Sequence, residues 1–177
     1  MENVRIEDLA DAKVGEALDL ELRGLLSVCF PKDVEFTLHR HFQEKPAHRW
    51  MGRDEAGRLM GHVCIHDKML GSCAGDLRIG GVAEVCVHPD FRGRGLVRTM
   101  LGQVHPWLAE RGFDFAMLFG REAVYTSSGY RTVENMLRYY DLKQKQWMTQ
   151  AVAGAMVRPL GQRAWPEQWI DLRGPVF

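Results

Sequence analysis

The chain has 177 residues, enough for a single domain that buries about 70% of the surface its unfolded form exposes, so neither disulfide nor metal is needed to hold it together. Its 23 basic and 23 acidic residues give a formal net charge of zero, which excludes a global field for gathering nucleic acid or an anionic membrane and confines any anion site to a local cluster. The N-terminal Met1–Asp8 lacks an apolar signal core and no apolar run reaches the roughly 18 residues of a membrane span, so a cytoplasmic protein is expected.

In chain order, Val4–Ile6 reads as a short strand turned by Asp8–Asp11. Leu18, Leu22, Leu25, Leu26 and Cys29 then recur at three and four, predicting an amphipathic helix that Pro31 ends. Phe36–Phe42 reads as a second short helix; His39 and His41 would point to different faces of it, which disfavours a metal site. Arg49–Arg53 and Arg58–Met69 flank the turn Asp54–Gly57 as a β-hairpin, and the alternation of His62, Cys64 and His66 puts both histidines on one face that would line a pocket. Gly71–Gly75 is a flexible connection. The four cysteines, Cys29, Cys64, Cys73 and Cys86, have no C-x-x-C spacing and read as reduced, mostly core residues.

Leu77–Val87 is predicted as the central strand, His88-Pro89-Asp90 ends it, and Leu96, Val97, Met100 and Leu101 open a helix that runs from Gly95 to about Glu110. The turn Arg92-Gly93-Arg94-Gly95 falls where the first unpaired N–H groups of that helix emerge. Glycines let an anion approach the backbone, the helix dipole favours negative charge, and the arginines add charge-assisted contacts, so the turn can cradle phosphate. Neither the P-loop pattern nor the dinucleotide Gly-x-Gly-x-x-Gly fits, because Arg98 stands at the third glycine's place.

After Gly112, Phe113–Phe119 is a buried strand, Arg121–Ser128 a short helix stopped by Gly129, and Tyr130–Leu142 a further strand. Lys143–Gln150 is the most polar connection, and Ala151–Leu160 and Trp165–Phe177 are apolar enough to pack back. The alternation of strands and helices argues for a mixed α/β sheet in one domain over residues 1–177.

The Val87-His88-Pro89 lead-in with Arg92 and Gly95 resembles the core motif of the GNAT superfamily of acyl-CoA-dependent N-acyltransferases, Gln/Arg-x-x-Gly-x-Gly/Ala; Val97 stands where the family has Gly or Ala. Tyr125, Gly129 and Tyr130 resemble its second motif, Tyr-x-x-x-Gly-Phe/Tyr, although the asparagine common about seven residues earlier is Leu118 here. The tail Trp165–Phe177 is similar to the ends of aminoglycoside 2'-N-acetyltransferases and of nodulation N-acyltransferases. The resemblance implies a mostly antiparallel sheet splayed at its central strands and flanked by helices. It also implies acetyl-CoA or another acyl-CoA as cosubstrate, no metal, and a small-molecule amine acceptor such as an aminoglycoside, polyamine, amino acid or peptide, with a homodimer left open.

On that resemblance Arg92, Gly93, Arg94, Gly95, Leu96 and Val97 would hold the pyrophosphate, and backbone groups of Val85, Cys86 and Val87 would pair with the pantetheine arm. Tyr125 would protonate the leaving thiolate, a role that suits a phenol with a pKa near 10. Counting back from Arg92, the family's glutamate positions fall on Gly81 or Ala83, whereas the carboxylate present is Glu84; in an unbulged strand it faces the other side, and a bulge would re-aim it. His88, His62, His66 and the terminal carboxylate of Phe177 are the other candidate bases. Cys86, in an apolar strand, is a poor nucleophile, so direct attack by the amine is expected. Three further readings stay open: acyl transfer from a carrier protein to an amino sugar, a lapsed enzyme that binds CoA as a sensor, and an unrelated phosphate-binding protein.

Overall fold

The computed structural model describes residues 4–177; Met1–Asn3 of the N-terminal stretch lie outside the described residues. The elements are β1 (Arg5–Ala10), α1 (Glu16–Cys29), β2 (His48–Arg53), β3 (Leu59–Ser72), β4 (Leu77–Val87), α2 (Leu96–Glu110), β5 (Phe115–Phe119), α3 (Glu122–Tyr125), β6 (Arg131–Thr132), β7 (Met136–Asp141), β8 (Gln146–Ala151), β9 (Ala155–Pro159) and β10 (Ile170–Asp171). This is the expected mixed α/β class. The β1–β2, β2–β3, β3–β10, β5–β9, β6–β9 and β7–β8 ladders are antiparallel, and β4–β5 and β7–β10 are parallel.

Residues 4–66 together with Val82–Val104 form one compact unit. In it β1 pairs with β2 and β2 with β3, and α1 turns Leu22, Leu25 and Leu26 inward, so that Leu25 and Leu26 pack with Phe36 and Cys86. β1 runs four residues beyond the expected strand, and the chain turns only at Asp11–Lys13. The second helix expected over Phe36–Phe42 is absent. Only Val34–Thr37 makes a 3-10 turn, because Arg40 is drawn to Asp11 and Asp19 and the Phe42 N–H is taken by a carboxylate. The His39 and His41 rings, freed from helical spacing, stack 5.5 Å apart at 9°.

Residues Asp67–Gly81 and His105–Phe177 form the second unit. Its strand order is β6-β9-β5-β4-β3-β10-β7-β8, over a core that includes Leu70, Leu77, Ile79, Phe115, Leu137 and Val157. The parallel β4–β5 ladder pairs Ile79–Gly81 with Phe115–Met117. The single strand expected over Tyr130–Leu142 is two. Asn135 interrupts it: its amide donates to the Pro166 carbonyl and its Oδ1 accepts from Trp165 Nε1 at 2.7 Å. The polar connection expected over Lys143–Gln150 is instead the turn and second strand of a β7–β8 hairpin, in which Asp141 Oδ1 accepts from the N–H groups of Lys143 and Gln144.

Candidate active site

At the end of β4, the His88 N–H donates to the Met60 carbonyl at 2.8 Å and Pro89–Phe91 makes a 3-10 turn. Gly93 and Gly95 follow with φ of 76° and 74°, a region that costs any residue with a Cβ, and no atom lies within 4 Å of where a Cβ on either would stand. The Gly95 carbonyl accepts the first helical bond, from Thr99, so the open N–H groups of α2 begin here, with no acidic side chain in the first turn. Arg92 and Arg94 are exposed. Arg92 Nε donates to the Val87 carbonyl at 3.1 Å, and Arg94 lies over the Phe91 ring at 5.4 Å. The Leu96 side chain is buried and takes no part in the open face. It fills a hole over Gly52 and Gly61, facing partners in the β2–β3 ladder, where an added Cβ would stand 2.9 and 2.8 Å from its methyl groups. Leu96 thereby fixes where the helix starts, and only its backbone is left on the open face. Cys86 turns its side chain into the core, so among Val85–Val87 it too offers only backbone.

Glu84 sits in this strand at φ +50°, a left-handed distortion that re-aims its side chain. The carboxylate is 5% exposed, accepts from the Phe42 N–H at 2.9 Å and lies 3.2 Å from Arg49 Nη1. Burial pushes its pKa up, outweighing the opposing pull of Arg49 and the Phe42 N–H. Arg49, wholly buried, also meets Asp11 Oδ1 at 2.6 Å, His62 Nε2 at 2.9 Å and the Arg40 carbonyl at 2.8 Å. Burial lowers His62 to about 3, so the ring is neutral: Nε2 accepts from Arg49 and Nδ1–H donates to the Glu84 carbonyl. Asp11 is pushed up by burial but ends below the usual carboxylate range because Arg40 and Arg49 both donate to it. The β3 face expected to line a pocket is closed: His62 and Cys64 are wholly buried and His66 is 6% exposed. Sequence reading missed Arg49 and Asp11, and the only local trace of them was a charge at the edge of an apolar run.

In the second unit, α3 ends at Tyr125 and Gly129 stops the following turn at φ 82°. The Tyr125 ring packs so closely on Gly120 that a Cβ there would stand 2.5 Å from it, and it meets the Tyr130 ring edge-on at 6.0 Å. Tyr130 is buried with its hydroxyl 2.9 Å from His105 Nε2. Burial, helped by Arg158, holds His105 near 3, so the neutral ring accepts a hydrogen bond from the Tyr130 hydroxyl, which burial keeps protonated. Leu118 points into the core.

The tail is docked, as its composition requires. β10 lies between β3 and β7, and the Phe177 ring rests against Gly81, where a Cβ would come within 2.8 Å, and 5.4 Å from the Phe119 ring. Lys68 Nζ donates to the Pro175 carbonyl at 2.9 Å and sits 5.5 Å over the Phe177 ring. Trp165 is buried edge-on to Phe115, whereas Trp169, expected to be covered, is 49% exposed.

A family model described as an acetyltransferase (GNAT) domain matches residues 16–133. The chain belongs to the GNAT acetyltransferase family. It is thus an acyltransferase, and the two GNAT motifs read from its sequence lie within or adjoin the matched span. No curated protein matches it. Among solved structures it is similar to the GNAT family N-acetyltransferase YhbS from Escherichia coli in complex with CoA, with a TM-score of 0.69 and 19% identity over 97% of this chain and 89% of that one. It is also similar to a GNAT family acetyltransferase from Brucella melitensis in complex with acetyl-CoA, with a TM-score of 0.65 and 15% identity over 96% of both chains. A third, a putative N-acetyltransferase from Lactobacillus plantarum, has a TM-score of 0.60 and 17% identity over 89% of this chain and 98% of that one. At these identities the likeness concerns the fold. No helix among the described residues is long and apolar enough to cross a membrane.

Proposed function

We propose that this GNAT protein is a cytoplasmic enzyme that moves an acyl group from acetyl-CoA or another acyl-CoA to a primary amine by direct attack in a ternary complex, with residues 1–177 acting as one domain. The observation that carries the donor reading is the Arg92–Gly95 turn. Two left-handed glycines with open space around them, two exposed arginines and the free N–H groups of α2 together suit a pyrophosphate. Val97 holds the last motif position without its usual Gly or Ala, which would loosen contact there, and the backbone of Val85–Val87 would pair with the pantetheine amides as an added strand does.

In this reading the neutral amine attacks the thioester carbonyl, a strand N–H stabilises the oxyanion, and the Tyr125 O–H protonates the thiolate as the C–S bond breaks. Glu84 takes the ammonium proton, directly or through water. Its raised pKa supports this, because a base nearer neutrality receives a proton more readily. The Phe177 carboxylate is the second candidate for that role. The acceptor is a small amine of the aminoglycoside, polyamine, amino acid or peptide type.

Calorimetry with acetyl-CoA tests the donor site. Gly95→Asp puts a side chain and a negative charge where phosphate would sit, and Arg92→Ala removes a cationic donor; each should weaken binding by about tenfold or more. Unchanged affinity in a folded Gly95→Asp variant overturns the assignment. A thiol-release screen of wild type against the four amine classes then separates an enzyme, which turns over with one of them, from a module that binds CoA without turnover.

A further inference from the structure

Two thiols that this mechanism does not use meet in the first unit. Cys86 on β4 is buried with Leu25, Leu26 and Phe36, and Cys29, the last residue of α1, packs half-buried against the same cluster. The two thiols share this cluster closely enough to perturb each other, and the Arg92 guanidinium of the turn acts on Cys29 as well. A thiolate at a helix C-terminus is opposed by the dipole. Even so, the neighbouring Cys86 thiol, with Arg92 adding to it against the effect of burial, brings Cys29 down to about 7. Cys86 is pushed the other way by the Cys29 thiol, by burial and by the nearby charges of Cys29, Glu84 and Cys64. Cys29, the partly exposed member, is therefore the sulfur that ionises more readily, and the buried Cys86 is the one that keeps its proton.

The geometry points to a reversible, peroxide-sensitive thiol pair in which Cys29 is the attacking sulfur and Cys86 the resolving one, closing to a disulfide beside the Arg92 turn. The Cys29 thiolate attacks one oxygen of a hydroperoxide; the O–O bond breaks, the alkoxide or hydroxide leaves and takes a proton from water, and Cys29, oxidised by two electrons, becomes a sulfenic acid. The sulfur of Cys86 then displaces hydroxide from that sulfur, and its proton leaves with the hydroxide as water. A dithiol reductant returns both thiols by exchange. The groups facing the pair are Arg92 from the turn, Glu84 from β4 and Cys64 from β3.

Closure removes a negative charge from Arg92. Resting on the reading of that turn as the donor site, the oxidised form should bind CoA severalfold more tightly than the reduced form above neutral pH, because pyrophosphate no longer competes with a thiolate for the guanidinium.

The test uses the full chain with the exposed Cys73 changed to Ser, so that chains do not cross-link. Hydrogen peroxide is added at neutral pH, the reaction is quenched by alkylation, and peptides are mapped by mass. The expected product is a Cys29–Cys86 peptide lighter by two hydrogens and reopened by dithiothreitol, formed at a rate that rises with pH through about 7. In Cys86→Ser, a dimedone adduct should accumulate on Cys29, and in Cys29→Ser neither product should form. Absence of the linked peptide, with Cys29 alkylating no faster than Cys64 in the folded protein, overturns the pair. That map involves no CoA, so its failure is distinct from failure of the donor site, which would appear as lost CoA binding in the reduced, folded chain.

Discussion

Glu84 shows how one backbone angle decides what a side chain can reach. On a regular strand it would face away from the family's glutamate positions, and its φ of +50° turns it instead onto Arg49 and the Phe42 N–H. Sequence reading found the residue and the need for a bulge but not the bulge itself, because a left-handed glutamate has no local signal of the kind glycine gives. The folded protein holds the Glu84 proton more tightly than the unfolded chain, whose carboxyl titrates at about 4.5. Its contribution to stability is therefore full below that pH and lost as pH rises through the folded value. The same shift should appear in catalysis: turnover rises with pH across the raised value, and Glu84→Gln should lower it by about 10² to 10⁴ and abolish that limb. A pH–rate profile checks this, and a variant that keeps both rate and limb removes Glu84 as the base. Tyr125→Phe keeps the packing on Gly120 and Tyr130 while deleting the proton donor, so turnover should fall by about 10² to 10⁴ with donor affinity nearly intact. Steady-state kinetics beside calorimetry measures the split; full turnover in the variant makes Tyr125 a packing residue.

At the scale of elements, strand, turn and helix around Arg92 were legible because apolar spacing and glycine chemistry are local. The β7–β8 hairpin was not: β8 is Gln-Trp-Met-Thr-Gln-Ala, largely exposed, and has no buried face to impose an alternation. The tail lies between these cases. Its apolar content required docking, but its place against Gly81 and Phe119 depends on a missing Cβ in β4 that no tail residue announces. Removing Val176 and Phe177 strips this packing and should cost about 1–3 kcal/mol of stability. Turnover should fall further than CoA affinity if the terminal carboxylate serves the reaction. A C-terminal tag that preserves the ring but buries the charge in an amide separates the two effects: turnover equal to that of the untagged protein across neutral pH rules the carboxylate out.

For the molecule as a whole, the fold class and family could be read from two short motifs, whereas the buried charges could not. Asp11, Arg40, Arg49, His62 and Glu84 come from five separate stretches, and each alone reads as a solvated residue or a strand edge. Burying so many ionisable groups is tolerable only because each is paired, and pairing is a property of the assembled chain. The seat of Leu96 raises a different matter. The helix that follows the Arg92–Gly95 turn is positioned by two vacancies, Gly52 and Gly61, on strands that contribute no motif residue. Evolutionary drift in donor recognition can thus begin at sites no ligand touches: a single methyl gained on either glycine would press on the Leu96 side chain at the start of the helix, leaving every residue of the signature unchanged and the signature itself a poor guide to activity.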